Sequence, residues 1–423
     1  MKIKTTKAEF SEVLKVKERY KKPKKPNIFW RSLIKLISIP DLKKAKFKYT
    51  THGLEKLGKK QPCLILMNHS SFIDMEIAES IFYPRPLNIV TTLDAFISKD
   101  WLLRQIGCIK TKKFTKGLAV IRDIQYCINK LKTSVLMFPE AGYSLDGRKT
   151  VLPDSIGKLI KLLGVPVVTV TTSGAFSRQP LYNELRKRPV PVSAKVEYLL
   201  SPEDIKSKNF EQINQLINEK FDFDAFKWQQ QNNVVIDDKE RAVGLERILY
   251  KCPCCGQEKM LGENDTLTCK ACGKVYTLTP LGKMQAVDGK TEYEQVADWV
   301  DWQRASVKQE IENGSYNLDI PVDVRIMMDA KGVFDVGEGR LIHNENGFTL
   351  KGTQQDFTYV QEDSAIYTIN ADFYWYQVSD VINIGDLEVQ YFCFPKDKNV
   401  SVFKVRLATE ELFKKAQERI KGK

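Results

Sequence analysis

Along the first two hundred residues, short apolar runs alternate with amphipathic stretches. Runs at 63–67, 87–92, 134–138 and 165–171 read as buried strands, and 74–82, 117–132 and 154–163 as helices. Residues 192–200 give one further strand. This alternation predicts an α/β layered domain over 28–200. From Ser201 the texture turns polar and helical and ends in Gln229-Gln230-Gln231-Asn232-Asn233, so 201–245 reads as a helical connector. Residues 281–423 have another pattern. The stretch 292–312 predicts a helix with Val296, Trp299, Val300 and Val307 toward one face. Alternating runs at 322–328, 340–343, 347–351, 357–360, 365–369, 388–394 and 401–406 predict strands, and 409–421 a closing helix. The third region is therefore expected to be mostly β.

Polar residues follow two of the apolar runs. After 63–67 comes Asn68-His69-Ser70-Ser71-Phe72-Ile73-Asp74, and the end of 134–138 opens Phe138-Pro139-Glu140-Ala141-Gly142-Tyr143-Ser144. Strand ends are where an α/β fold usually gathers its chemistry. The chain has three histidines, His52, His69 and His343, so a histidine base has few candidates. The two blocks, followed by Gly164-Val165-Pro166-Val167-Val168-Thr169-Val170, resemble the lysophospholipid acyltransferase family, which includes the 1-acyl-sn-glycerol-3-phosphate acyltransferases. The blocks stand in the family's order, and the resemblance covers roughly residues 28–200.

The resemblance implies transfer of a fatty acyl group from a thioester, acyl-CoA or acyl-ACP, to the free hydroxyl of a lysophospholipid. The acceptor it implies first is 1-acyl-sn-glycerol-3-phosphate. An imidazole titrates near neutrality, so His69 suits the base that takes the hydroxyl proton. Asp74 is the family's partner for it, fixing the tautomer and stabilising the imidazolium. Asn68, Ser70 and Ser71 also read as caps of the following helix. The second block departs from the family's Phe-Pro-Glu-Gly-Thr-Arg-Ser: Ala141, Gly142 and Tyr143 replace Gly, Thr and Arg. The missing arginine, which suits phosphate, leaves room for a different lysophospholipid. Glu140, Ala141 and Gly142 are expected to shape the acceptor site. Arg148, Lys112 and Lys113 are the cations that stand near enough in sequence to take the arginine's place. A solvated turn is the equal alternative for the lysines.

Composition adds location. Hydrophobic content of 43% and charge of 28% fit a globular protein. No apolar run reaches a spanning length, and the charged N-terminus lacks the pattern of a secretory signal. The net charge of +13 is uneven: residues 1–60 hold nineteen Lys and Arg against five Asp and Glu, so the rest is near −1. Residues 1–27 read as a basic segment, irregular or weakly helical, in which Arg19-Tyr20-Lys21-Lys22-Pro23-Lys24-Lys25-Pro26 leads into the helix candidate Ile28 to Ile37. That helix has aromatic and apolar residues with two interspersed cations, Arg31 and Lys35. It reads as an interfacial element on an anionic membrane surface, where each cation adds about 1 kcal/mol. A core-packing helix behind a basic leader is the alternative. The chain is thus expected to be cytoplasmic and peripheral on the inner face of the cell membrane. No RNA-binding signature accompanies the basic segment, so no nucleic-acid partner is expected.

Two C-x2-C knuckles, Cys252/Cys255 and Cys269/Cys272, give residues 246–280 the spacing of a zinc ribbon. Four thiolates close a tetrahedron and leave no position for water, so the expected zinc is structural. Cys254 is a spare thiol, and Cys63, Cys108, Cys127 and Cys393 sit in apolar contexts as packing residues. The strands and final helix of 281–423 loosely resemble a pleckstrin-homology or GRAM-like barrel, and Phe373-Tyr374-Trp375-Tyr376 reads as buried strand or as a membrane-facing lip. A non-catalytic lipid-binding adaptor built on ribbon and barrel is the rival reading of the whole.

Overall fold

The computed structural model describes residues 3, 5–16, 20–113 and 117–422; Arg19 of the basic stretch lies outside them. Its contacts divide the chain into two compact units, residues 19–180 with 187–228, and residues 1–18 with 181–186 and 229–423.

The first unit is α/β. Its strands are β1 (Lys48–His52), β2 (Leu64–Met67), β3 (Leu87–Thr92), β4 (Cys108–Thr111), β5 (Ser134–Met137), β6 (Val167–Ser173) and β7 (Ser193–Leu200). They lie side by side as β1-β7-β6-β2-β5-β3-β4. All pairs are parallel except β6 with β7. Central β2 is buried along its whole length, as a parallel strand covered on both faces must be, which is why it reads as unbroken Leu-Ile-Leu-Met. Edge strand β1 is exposed throughout and carries Lys48, Thr50 and Thr51. Helix α1 (Ile28–Lys44) starts at Asn27, whose side chain accepts the Phe29 N–H. Helix α2 (Asp74–Phe82) follows β2, and α3 (Ser155–Leu163) precedes β6.

Two expectations change here. Arg31 of α1 is not a surface cation: it is buried and donates to Glu79 of α2 through Nε at 3.0 Å, while Lys35 lies over the Tyr83 ring at 4.3 Å. The α1 face opposite its exposed apolar residues therefore docks on α2 through a buried ion pair. The helices after Ser201, read as a connector, also pack. Ile205, Ile213, Ile217 and Phe221 join Ile156 and Ile160 of α3 and Leu64 of β2 in one core cluster.

The second unit contains a four-stranded antiparallel sheet, β8 (Met260–Glu263), β9 (Thr266–Cys269), β10 (Val275–Leu278) and β11 (Met284–Ala286). It continues through helix α4 (Val296–Glu312), which buries Val296, Trp299, Val300 and Val307 as its periodicity required. Then come β12 (Leu318–Met327), β13 (Val333–Asn344), β14 (Gly347–Gly352), β15 (Thr358–Gln361), β16 (Asn370–Trp375), β17 (Ser379–Gly385), β18 (Gln390–Pro395) and helix α5 (Val402–Lys421). Their order is β15-β14-β13-β12-β18-β17-β16, two antiparallel meanders joined through β12 and β18. Two meanders and a final helix make this a mostly antiparallel β domain.

Local pattern misled in four places. Residues 365–369, expected as a strand, lie in the irregular connection between β15 and β16. Residues 401–406 alternate like a strand but open α5, because the Ser401 side chain caps it by accepting the Lys404 N–H. Strand β17 went unread because its apolar run, Val381, Ile382 and Ile384, is short and interrupted. Thr5–Lys7, in the segment read as irregular or weakly helical, pairs parallel with Val333–Asp335 of β13. No local signal announces a partner more than three hundred residues away. Phe373 and Trp375 of the aromatic cluster are buried, with Trp375 against Phe392 at 4.7 Å.

Candidate active site and metal centre

His69 stands just beyond the C-terminal end of β2. Asn68 fixes that end against β6: its Oδ1 accepts the Thr172 N–H at 2.7 Å and its Nδ2 donates to the Thr172 carbonyl at 3.3 Å. The chain then turns into α2, and Asp74, the first residue of α2, comes back under the turn. Asp74 is fully buried. Its Oδ2 accepts the N–H groups of Ser70 at 2.7 Å and Ser71 at 3.0 Å, and lies 3.0 Å from His69 Nδ1. Burial of a carboxylate is tolerable here because backbone donors and the helix N-terminus both favour its charge. Accepting from Nδ1–H leaves the lone pair on Nε2. The imidazole is part exposed, so that nitrogen is within reach of a substrate.

The second block closes over the first. Ala141 and Gly142 form the turn after β5, with the Ala141 N–H donating to the Phe138 carbonyl at 3.1 Å. Ala141 has φ +53°, a left-handed conformation that glycine takes freely and alanine only with strain of about 1–2 kcal/mol. Glu140 is buried, and its two oxygens accept from the His69 N–H at 3.0 Å and the Thr150 N–H at 3.1 Å. It thus clamps the two blocks together, the role open to a loop carboxylate. The Ser144 N–H donates to the His69 carbonyl at 2.9 Å, a second tie. The rings of Phe138 and Tyr143 lie 4.0 and 3.9 Å from the imidazole, centroid to centroid.

The cations expected near an acceptor are placed differently from one another. Arg148 lies in the loop that Ser144 and Thr150 tie to the site, with its Nε donating to Asp146 at 3.0 Å. Lys112 and Lys113 follow β4, the far edge of the sheet, and Lys113 is 4.0 Å from Asp94. Sequence reasoning did not foresee Asn68 as a lock, the Ser70 and Ser71 amides as Asp74's donors, or the two rings on His69. Nor did it foresee Gln179, whose Oε1 is 3.4 Å from Ser71 Oγ. Each depends on which loops meet in space.

In the second unit, Cys252, Cys255, Cys269 and Cys272 bring their sulfurs within 4.8 Å of one another. The pairs Cys252–Cys272 and Cys255–Cys269 are 3.8 and 3.7 Å apart. Those are too long for disulfides, about 2.05 Å, and match the roughly 3.8 Å edge of a tetrahedron with metal–sulfur bonds near 2.3 Å. The donor set fits a structural zinc. Gly256 and Gly273, each one residue past a knuckle, take φ of +74° and +76°. Their N–H groups donate to the Cys252 and Cys269 carbonyls at 2.8 and 2.9 Å. Cys254 is exposed, whereas burial pushes the Cys108 and Cys127 thiols up to about 12 and leaves them inert.

The acyltransferase family model matches residues 48–173, which span β1 to β6 and both blocks. No curated protein matches the chain. A solved structure similar to it is the crystal structure of the 1-acyl-sn-glycerophosphate (LPA) acyltransferase, PlsC, from Thermotoga maritima. The identity is 19%, the alignment covers 45% of this chain and 76% of that one, and the TM-score is 0.34. With the family match spanning the strands that hold His69, Asp74 and Glu140, residues 48–173 are an acyltransferase domain.

Proposed function

We propose that the protein transfers a fatty acyl group from acyl-CoA or acyl-ACP to the free hydroxyl of a lysophospholipid. The observation that carries this is the His69 Nδ1 to Asp74 Oδ2 contact of 3.0 Å, with Asp74 itself fixed by two backbone N–H groups. His69 Nε2 takes the acceptor's proton as its oxygen attacks the thioester carbonyl. Asp74 stabilises the imidazolium so formed. Collapse of the tetrahedral intermediate breaks the C–S bond, and the imidazolium returns the proton to the leaving thiolate. No chain nucleophile takes part. The family resemblance points first to 1-acyl-sn-glycerol-3-phosphate as acceptor, and Tyr143 favours a different lysophospholipid.

The same reading places the protein on the inner face of the cell membrane. No helix of the described residues is long and apolar enough to cross a membrane. Helix α1 leaves Phe29, Leu33, Leu36 and Ile37 exposed at helical spacing, which suits an element lying in the interface. Exposed Trp101 meets Trp30 edge-on at 5.3 Å beside that face. The zinc serves structure in this scheme and no step passes through it.

The test is a transfer assay with purified, zinc-loaded protein on anionic liposomes, offering labelled acyl-CoA and acyl-ACP to a panel of lysophospholipids. Transfer from either donor that disappears in folded His69→Ala supports the reading. Full activity in His69→Ala would refute the base, and no transfer by the wild type to any acceptor would favour the adaptor.

A further inference from the structure

The wall beside the imidazole is aromatic. Phe138 and Tyr143 both approach it at about ring-stacking distance, 4.0 and 3.9 Å, with interplanar angles of 22° and 31°. Two rings so close and so nearly parallel cannot share one face, so they take opposite faces and leave the edge of the imidazole for substrate. Phe72, more than half exposed, meets Tyr143 edge-on at 5.3 Å and extends the wall outward.

Four of the described cations at this end of the sheet already have carboxylates. Arg148 is held by Asp146 at 3.0 Å, and Lys113 stands 4.0 Å from Asp94. Lys110 is 2.9 Å from Asp100, which also takes Lys21 at 3.3 Å. Lys110 and Lys113 lie at the end of β4, three strand spacings from β2. At about 4.8 Å per spacing that is roughly 14 Å from the strand that presents His69. A phosphate dianion beside the attacking hydroxyl would therefore meet aromatic faces, whose negative π density disfavours anions, while these four cations are neutralised by their own partners. The same faces favour the imidazolium that forms as the hydroxyl is deprotonated. The wall thus assists the base while disfavouring a doubly charged neighbour.

We infer that Tyr143, together with Phe72, is a specificity-determining residue that selects an acceptor hydroxyl with no phosphomonoester beside it. The acceptor is a lysolipid whose phosphate is a diester or that has no phosphate. This rests on His69 acting as the acyl-transfer base.

The experiment measures kcat/KM on uncharged liposomes for three acceptors: 1-acyl-sn-glycerol-3-phosphate, the corresponding phosphocholine diester and the corresponding monoacylglycerol. Wild type, Tyr143→Phe and Tyr143→Arg are compared, each with its melting temperature. Wild type and Tyr143→Phe should prefer the diester or the glycerol over the monoester by about tenfold or more, the weight of one charge-assisted hydrogen bond. Tyr143→Arg should raise the monoester's relative kcat/KM by a similar factor, chiefly through KM. Preference for the diester over the glycerol, or the reverse, tells the two permitted acceptors apart. A wild type that prefers the monoester, or a folded Tyr143→Arg with an unchanged ratio, overturns the inference. Equilibrium binding of the same acceptors without donor reads the preference independently of turnover. Inactive protein that still binds the diester or glycerol better refutes the transferase reading alone; active protein that prefers the monoester refutes this inference alone.

Discussion

His69 and His343 have nearly the same immediate neighbours and opposite chemical prospects. Each imidazole stacks on phenylalanine, His69 on Phe138 at 4.0 Å and His343 on Phe348 at 3.8 Å. Each uses Nδ1 in a hydrogen bond with an oxygen, to Asp74 at 3.0 Å and to the Tyr316 hydroxyl at 2.9 Å. The difference lies in the partner's charge and in access. Asp74 is a carboxylate held by backbone donors, whereas Tyr316 is a buried phenol that offers no compensating charge. His69 keeps about a fifth of its side chain exposed, and His343 keeps almost none. Burial pushes the His343 pKa down to about 3, so it is neutral in the folded protein throughout the physiological range. A histidine inside a strand is a packing group that happens to be polar. A histidine at a strand end, with an anchored carboxylate behind it and space before it, can move a proton.

The comparison breaks most sharply under substitution. His69→Ala should lower kcat by about 10²–10⁴-fold in liposome assays with little change in melting temperature. His343→Gln should do the reverse, lowering stability while transfer per folded molecule stays at the wild-type level. Equal loss of kcat in both variants would end the distinction.

Next in size is the metal. The unit that holds His343 also holds the four cysteines, while His69 stands in the other. Cys255→Ser, or exhaustive chelation, should release one zinc per chain by colorimetric assay. It should also expose the amides of 252–286 to hydrogen exchange while those of 64–74 stay protected. Loss of protection in both segments would show that the metal supports the whole chain.

A smaller effect is expected at Glu140. Glu140→Gln turns one acceptor oxygen into a donor and leaves an amide of His69 or Thr150 facing it. That should cost about 1–3 kcal/mol in denaturant unfolding and lower kcat through displacement of His69. A variant with wild-type stability and activity would remove Glu140 from the supports of the site.

The smallest effect is graded with pH. The folded pKa of His343, about 3, lies below the ordinary imidazole value of 6.5, so the unfolded chain binds the extra proton first. Its contribution to stability is therefore fully present above about pH 6.5 and is lost as pH falls toward 3, at up to about 1.4 kcal/mol per unit. Unfolding of wild type and His343→Gln between pH 7 and 5 should converge as acid removes the wild type's advantage. Parallel curves would show that His343 is not the group responsible.

Much of the architecture could be read locally. The strands at 63–67, 87–92 and 134–138 and the helices at 74–82 and 154–163 appear within a residue or two of their expected bounds, because continuous apolar runs and amphipathic periodicity have few other solutions. The Cys252/Cys255 and Cys269/Cys272 knuckles were legible for a similar reason, since ligand spacing and the glycine after each pair are properties of short peptides. The misread stretches were those settled elsewhere. Val402 to Arg406 alternates but is capped into a helix, and Arg31 counts as a surface cation until Glu79 of the next helix meets it.

The sequence by itself determined that His69 and Asp74 sit five positions apart at a strand end, and that four cysteines pair as two knuckles. It also determined that a basic head precedes a near-neutral body. Only the tertiary structure decided what surrounds them. It turned Glu140 into a buried clamp, set Tyr143 against the imidazole, gave Arg148 and Lys113 to carboxylates, and sealed His343 away. Residue spacing fixes what one turn of chain can bring together. Burial, and the partner that compensates each charge, depend on loops and strands that meet only when the sheet has formed.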